Sequence, residues 1–171
     1  ISRYYAKDEN KQEECRAKIM SAASFLLDLV NNVLDMNKLE SGEVRLEKKQ
    51  FHLLDLFRET ILLVEMQAVE RNVALQVEIC EGEHWDVMGS PVHLRQVLQN
   101  IISNAVKYNR AGGSVSVRVQ EIASTEQTAT FEFVCQDTGI GMSEEFQKRA
   151  FEPFAQEDAS ARTSYAGTGL G

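Results

Sequence analysis

The sequence has little of what marks secreted, disulfide-rich or disordered proteins. Its 171 residues include three cysteines, two prolines and ten glycines. The cysteines are odd in number, far apart and outside C-x-x-C spacing, which favours buried thiols in a reducing compartment over disulfides. With so little proline and glycine, and with 43% hydrophobic residues, the pattern argues against disorder and predicts a packed core.

Long apolar runs and long basic runs are also absent. No stretch approaches the roughly 18 apolar residues of a transmembrane helix, and the amino terminus lacks a signal-peptide pattern. We therefore expect no membrane contact by this chain. The net charge of −8 repels nucleic-acid phosphates and predicts no nucleic-acid partner. An acidic protein can still bind a nucleotide, because a divalent cation changes the local charge.

Hydrophobic periodicity divides the chain near Gly42 into a long helix and an α/β region. From about residue 10 to residue 40, apolar residues cover a wide helical face, which is typical of a helix packed against several neighbours in a bundle. After Gly42, a helix-stop residue, the pattern predicts strand, helix, two strands, helix and a strand hairpin, then a long loop. The predicted fold is α+β: a two-layer α/β sandwich with helices on one face of a mixed sheet.

The elements of the α/β region are predicted from local patterns. An edge strand lies in EVRLEKKQF, and a helix covers residues 53–70. The second helix of this region, Ser90–Tyr108, has Ser90 as N-cap and Pro91 at its first position. Strands are predicted in VALQVEIC, HWDVMG, SVSVRVQEI and TATFEFVCQD, the last two as a hairpin, and a short helix near residues 144–150.

Two asparagines in the Ser90–Tyr108 helix are candidates for chemistry. Asn100 and Asn104 stand four residues apart on one face, beside the apolar positions. An asparagine amide competes with the helix backbone, but its oxygen can ligate a hard cation directly or through water. Lys107, one turn further, offers a charge for a phosphate, and Tyr108 offers a flat ring. The spacing alone leaves open a second interpretation, in which both asparagines lie on a solvated flank.

Two glycine clusters follow the second helix. The first, Asp137–Gly141, comes at a strand end, where glycines permit close approach and Asp137 can accept a hydrogen bond from an exocyclic amine. The second, Gly167–Gly171, presents successive N–H groups of the kind that bind phosphate. The segment between them predicts a mobile lid, with Phe151 and Phe154 packed onto the body. Each cluster alone is weak evidence, because turns often contain Gly-x-Gly.

Four of these stretches occur in the order typical of one family. HLRQVLQNIISNAVKY resembles the N box of sensor histidine kinases, DTGIGM the G1 box, FEPF the F box and GTGLG the G2 box. The catalytic domain of these kinases belongs to an ATPase superfamily shared with DNA gyrase, the mismatch-repair ATPases and the ninety-kilodalton heat-shock chaperones. FEPFAQEDASAR is most similar to hybrid kinases, which carry receiver domains.

The resemblance also implies a domain organisation. LLDLVNNVLDMNKLESG resembles the second helix of the kinases' dimerisation and phosphotransfer hairpin. Residues 1–42 would then be this helix and the tail of the first one. Residues 43–171 would be an ATP-binding catalytic domain truncated at its C-terminus.

The resemblance implies roles for individual residues. Asn104 would hold Mg²⁺ with Asn100 in support, and Lys107 would reach a phosphate of ATP, which makes these three the expected catalytic residues. Tyr108 would cover the adenine, and Asp137 would accept from its amino group. The rest of the implied nucleotide-binding set is Gly139, Ile140, Gly141 and Met142 around the base, Phe154 and Arg162 in the lid, and Gly167, Thr168, Gly169, Leu170 and Gly171 around the phosphates.

The implied function is transfer of the γ-phosphoryl group of ATP to a histidine, for relay to an aspartate of a response-regulator receiver domain. The resemblance further implies a homodimer joined through the hairpin helices, and a cytoplasmic location with the parent protein in the cytosol or anchored at the inner membrane. None of His52, His84 and His93 has the H-E/D-x-x-x-P context of an acceptor. We expect the acceptor upstream of Ile1, so that the chain alone need not be active.

Two other functions stay open. The chain could be a truncated, non-catalytic dimerisation module whose nucleotide site is vestigial. It could also be an ATP hydrolase of the same superfamily. Those hydrolases usually carry a glutamate where this chain has Asn100, and an amide cannot act as a general base at neutral pH. Asn100 therefore favours the kinase.

Overall fold

A computed structural model describes residues 9–40, 46–80, 82–152 and 155. The chain divides into two compact units, one of residues 1–44 and 144–171 and one of residues 45–143. Within these described residues, nine elements follow the predicted order of helices and strands. The boundary predicted at Gly42 falls outside the described residues and stays a prediction.

The first unit contains the long helix α1 (Glu9–Glu40) and the short helix α4 (Glu144–Gln147). Neither glycine nor proline interrupts α1, and an i,i+4 ion pair joins Lys18 Nζ to Glu14 Oε1 at 2.5 Å. The predicted long helix is therefore confirmed as an element. Its exposed large apolar side chains are Ile19, Met20, Leu26, Leu27, Val30, Val33 and Leu34. The helix predicted near residues 144–150 is shorter, since it ends at Gln147.

The second unit is built on a three-stranded mixed sheet of order β2-β4-β5. Strand β2 (Ala74–Ile79) runs parallel to β4 (Ser114–Ser124), with Leu75 opposite Val115. Strand β5 (Ala129–Asp137) pairs antiparallel with β4, which confirms the predicted hairpin. Because β5 runs back along β4, its last residue, Asp137, lies opposite Val115 at the beginning of β4.

A separate two-stranded antiparallel sheet joins β1 (Lys49–His52) to β3 (Asp86–Gly89). The strand predicted in EVRLEKKQF is thus shorter than its alternating pattern suggested. Leu46 precedes it in irregular structure and is exposed, so the apolar residue there has no sheet face to cover.

Helices α2 (Leu53–Glu70) and α3 (Pro91–Lys107) pack on one face of the three-stranded sheet. The rings of Phe57 and Phe133 meet edge to face across this contact, with centroids 6.0 Å apart. The predicted fold class, a two-layer sandwich with helices on one face of a mixed sheet, is confirmed. The largest fully buried apolar side chains of the core are Phe57, Val64, Ile102, Val106, Val115 and Val117.

Two details of α3 differ from the prediction. Ser90 holds the N-cap position, but its side chain does not cap the helix; Ser90 Oγ instead lies 2.6 Å from His93 Nδ1. Val97 and Ile101 are two of the apolar positions beside Asn100 and Asn104, yet they are 53% and 42% exposed. The apolar face of α3 is therefore wider than the part that the sheet and α2 cover. Over the described part of the chain, no helix combines the length and apolar character needed to cross a bilayer.

Candidate functional site

The end of β5 and the end of α3 meet in one place. The backbone N–H of Ile140 donates to the carbonyl oxygen of Tyr108 at 3.1 Å. Gly139 lies so close that a Cβ on it would sit 2.4 Å from that same oxygen, so no larger residue fits without movement. The turn after Asp137 therefore contacts Tyr108, the residue that follows the asparagine-bearing helix α3.

Asp137 is held in a defined orientation by its own turn. Phe133 and Cys135 pack against the core, and alternate strand residues share a face, so Asp137 belongs to the helix-covered side of the sheet. Its Oδ1 accepts a hydrogen bond from the Gly139 N–H at 2.8 Å, while the residue as a whole is exposed. Burial is the larger cause, and the Asp137 charge the smaller one, that raises the pKa of the Cys135 thiol to about 11. This thiol therefore stays protonated.

The rest of this turn is exposed and partly apolar. Gly141 has φ of +69°, which suits glycine and strains other residues. Ile140 and Met142 are 61% and 58% exposed beside it. An apolar rim next to an oriented carboxylate suits a flat heterocycle that carries an amino group.

Helix α3 presents its polar residues beside its buried face. Asn100 and Asn104 are both half-buried. One turn beyond, Lys107 Nζ lies 5.1 Å from the centroid of the Tyr108 ring. Burial lowers the pKa of Lys107, with the Arg71 charge as a second cause, and burial raises the pKa of Tyr108. The cation is thus partly desolvated and would gain from a phosphate partner.

Asn109 is a site residue that sequence reasoning missed. It is 6% exposed, and its Nδ2 donates to Ser114 O at 2.9 Å. Its Oδ1 accepts from Arg110 N at 3.0 Å and from Thr138 Oγ1 at 3.3 Å. The Ser114 N–H in turn donates to Thr138 Oγ1 at 2.9 Å. One buried amide therefore ties α3, β4 and the turn after Asp137 together.

The glycines at positions 112 and 113 are the sequence signal that could have drawn attention to Asn109. A Cβ at Gly113 would lie 2.2 Å from Asn109 Oδ1 and 2.8 Å from Thr138 Oγ1. A polar residue directly after a helix and before a double glycine predicts such a close side chain-to-backbone contact.

Part of the predicted set lies outside the described residues: Phe154, Arg162, Gly167, Thr168, Gly169, Leu170 and Gly171. The phosphate-binding role of the second glycine cluster stays a prediction. Phe151 is described within the first unit, where it is fully exposed, and its packing onto the body stays a prediction. The structure brings together Asn104, Lys107, Tyr108 and the Asp137 turn at one end of α3.

The donors at this end of α3 fit a weakly held hard cation. Within the part of the chain that the structure describes, no group of three or more His, Cys, Asp or Glu residues could hold a metal ion. A cation beside α3 would take an amide oxygen from Asn104 and fill its shell with phosphate oxygens and water. This is the mode of binding that Mg²⁺ prefers, because it sheds its water reluctantly.

Comparisons with known proteins found a family model, related sequences and related structures. The model of the histidine kinase-, DNA gyrase B- and HSP90-like ATPases matches residues 89–171. The sensory/regulatory protein RpfC of Xanthomonas campestris is 35% identical over 162 residues, which are 94% of this chain and 22% of that protein. The signal transduction histidine-protein kinase BarA of Escherichia coli is 34% identical over 153 residues, 90% of this chain and 17% of that protein. The chain thus spans about a fifth of these relatives' length.

Among solved structures, full-length ShkA in complex with AMPPNP is similar in fold. The TM-score is 0.73 at 27% sequence identity, and the match covers 94% of this chain and 32% of that chain. AMPPNP is bound by ShkA in that structure.

Proposed function

Because the segment of residues 89–171 belongs to the family of histidine kinase-, DNA gyrase B- and HSP90-like ATPases, we propose that this chain is the ATP-binding kinase part of a sensor histidine kinase. The observation that supports it best is the hydrogen bond from Ile140 N to Tyr108 O, which joins the oriented carboxylate to the amide-bearing helix. The relationship to BarA, a named histidine-protein kinase, and to ShkA, crystallised with AMPPNP, points the same way.

The base-binding half of the site is the Asp137 turn. One Asp137 oxygen is occupied by the Gly139 N–H, which fixes the carboxylate and leaves the other oxygen to accept from the adenine amino group. Gly139 has no side chain to fill the space next to Tyr108. Tyr108, Ile140 and Met142 supply the ring and apolar surface that an adenine would cover.

The phosphate half of the site is the last two turns of α3. Asn104 would hold Mg²⁺ through its amide oxygen, with Asn100 one turn before it in support. Lys107 would contact a phosphate, where its partly buried ammonium regains a charged partner. Arg162 and the Gly167–Gly171 stretch would complete the phosphate contacts.

Bound ATP supplies the phosphoryl group, and the residues of this chain supply position and charge. Phosphoryl transfer depends mainly on alignment and on neutralising phosphate charge. Asn100 cannot deprotonate an attacking water, whereas a glutamate there could. The proposed acceptor is therefore a histidine of the phosphotransfer hairpin rather than water, and the next acceptor is an aspartate of a receiver domain.

The proposed assembly is a homodimer through α1, whose exposed apolar side chains need a partner. A cytoplasmic location is proposed, because the reaction consumes ATP. We also propose that residues 1–42 and 43–171 are the hairpin and catalytic parts.

The experiment is isothermal titration calorimetry of the chain with ATP and with inosine triphosphate, each with and without Mg²⁺. Inosine carries a carbonyl where adenine carries the amino group, so we expect a clear preference for ATP. Asp137→Asn should weaken ATP binding and reduce the preference, because an amide can pair with either base. Removal of Mg²⁺ with EDTA should weaken binding of both nucleotides.

The matched control is Glu126→Gln, which removes one exposed carboxylate from the β4–β5 turn at the opposite end of the strands. It should bind like the parent. If the parent shows no heat with ATP, or if Asp137→Asn keeps the parental preference, the proposed site is wrong. Transfer of labelled phosphate to a separately supplied histidine-bearing hairpin tests the kinase step itself.

A further inference from the structure

The turn between α2 and β2 is fastened to the end of α3. Asn72 adopts φ of +55°, and its carbonyl oxygen accepts from the Gly112 N–H at 2.7 Å. Two residues later, the Ala74 N–H donates to Gly113 O at 2.9 Å. These two backbone bonds join the residues that follow Arg71, the C-cap of α2, to the loop that follows α3.

The last carbonyl groups of a helix have no partner within it. In α3, two of them are satisfied from other parts of the chain. Lys107 O accepts from Arg71 Nη1 at 3.3 Å, and Tyr108 O accepts from the Ile140 N–H at 3.1 Å. A cationic side chain is favoured at this position, because the carboxyl end of a helix carries partial negative charge.

We propose that Arg71 is a positioning residue of the nucleotide site, which holds the last turn of α3 so that Lys107 and Tyr108 face the nucleotide together. This inference rests on the proposed function. Arg71 contacts the backbone of the phosphate-binding residue, and the Asp137 turn contacts the backbone of the next residue. The two hydrogen bonds are to the carbonyl oxygens of consecutive residues, so a shift of either bond moves the side chains of both Lys107 and Tyr108.

The arrangement also places two cations near each other. The Arg71 guanidinium and the Tyr108 ring both lie near the Lys107 ammonium. Arg71 adds to burial in lowering the pKa of Lys107. A bound phosphate would relieve this repulsion, whereas adenosine would not. Arg71 therefore affects the affinity for ATP more than the affinity for adenosine.

The test compares Arg71→Ala and Arg71→Lys with the parent chain and with Arg58→Ala. Arg58 is the matched control, because it is an exposed arginine on α2 whose ion pair with Asp55, at 3.7 Å, stays within the helix. Affinities for ATP and for adenosine are measured by calorimetry. We expect Arg71→Ala to weaken ATP binding roughly fivefold, the effect of losing about one hydrogen bond, and adenosine binding by less. Arg71→Lys should restore part of the loss, and Arg58→Ala should match the parent.

Two further readouts need no nucleotide. Amide hydrogen exchange at Tyr108 and Asn109 should accelerate in Arg71→Ala, while exchange at Leu98 and Ile102 stays at the parental rate. After reductive methylation with ¹³C-formaldehyde, the NMR titration of Lys107 should move to higher pH in Arg71→Ala, because a neighbouring positive charge is gone.

The outcomes separate the two proposals. If the parent does not bind ATP, the proposed function is wrong, and the exchange and titration readouts still decide whether Arg71 holds the helix end. If the parent binds ATP and Arg71→Ala binds it within twofold, Arg71 does not position the site. If exchange accelerates along all of α3, or the Lys107 titration does not move, Arg71 serves only general stability and the inference is overturned.

Discussion

Replacement of Asn109 by alanine should destabilise the second unit and weaken nucleotide binding at the same time. The side chain is almost fully buried and contacts three segments that are far apart along the chain. Its loss removes one of the links between the end of α3 and the turn that begins at Thr138, and leaves the hydrogen bond from Ile140 N to Tyr108 O. The Asp137 carboxylate, one residue earlier, would lose part of its support.

The size of the effect follows from which groups are left without a partner. In the variant, Ser114 O would still accept a hydrogen bond from the Thr138 N–H, at 3.1 Å. Thr138 Oγ1 could donate to Ser114 O, at 3.4 Å, instead of to Asn109. The Arg110 N–H belongs to an exposed residue and can bind water. No buried group is therefore orphaned, and the loss is that of two or three net hydrogen bonds. At about 1 kcal/mol each, the free energy of unfolding should fall by about 2–3 kcal/mol.

Urea unfolding measures this difference, and calorimetry with adenosine measures the change at the site. Arg110→Ala is the control, because it alters an exposed neighbour without removing the backbone donor; we expect a change within about 0.5 kcal/mol. Asn109→Ser should recover part of the stability, since a hydroxyl can still bridge Ser114 and Thr138. An Asn109→Ala chain as stable as Arg110→Ala would refute the reasoning, as would one that is destabilised but binds adenosine like the parent.

Two further predictions concern pH and association. The pKa of Glu121 is lowered from 4.5 to about 2, first by the hydrogen bond from the His84 backbone N–H and next by the His84 ring. A depressed carboxyl pKa stabilises the fold above about pH 4.5, and the contribution is lost as the pH falls toward 2. In urea unfolding, the difference in stability between the parent and Glu121→Gln should therefore be larger at pH 7 than at pH 3. The difference between the parent and Glu126→Gln should not change with pH. A difference for Glu121→Gln that is independent of pH would contradict the assignment. For α1, light scattering should show a mass that rises with concentration toward a dimer, and Leu26→Ser with Val30→Ser should abolish the rise, because both side chains are more than half exposed; a parent that stays monomeric would argue against the helix as the contact.

The elements with strong periodicity were predictable from sequence. Helix α2 covers the predicted residues 53–70, and the β4–β5 hairpin follows the alternation of its two strands. These patterns record which side chains face the core, so the sequence carries them locally. The strand prediction for the first part of EVRLEKKQF failed for the same reason, since exposed Leu46 has no sheet face to cover.

The residues proposed to bind the nucleotide were predictable from sequence, but the residues that hold them in place were not. Asn104, Lys107 and Asp137 are chemically conspicuous and stand in a recognisable order. Asn109 and Arg71 are not, because an asparagine after a helix and an arginine in a turn are ordinary in sequence. Their importance comes from contacts with residues distant along the chain, and such contacts depend on how the turns are docked.

The docking of those turns explains why the site and the fold depend on the same few bonds. Three hydrogen bonds join the end of α3 to other segments. Arg71 joins it to the α2–β2 turn, Ile140 to the turn after β5, and Asn109 to β4. Each contact satisfies a polar group that would otherwise be costly at a helix end. The same bonds fix the backbone that carries Lys107 and Tyr108. A variant that loosens one of them should therefore change nucleotide affinity before it unfolds the domain, whereas a cavity in the distant core at Phe57 should lower stability and leave the affinity of the remaining folded molecules unchanged.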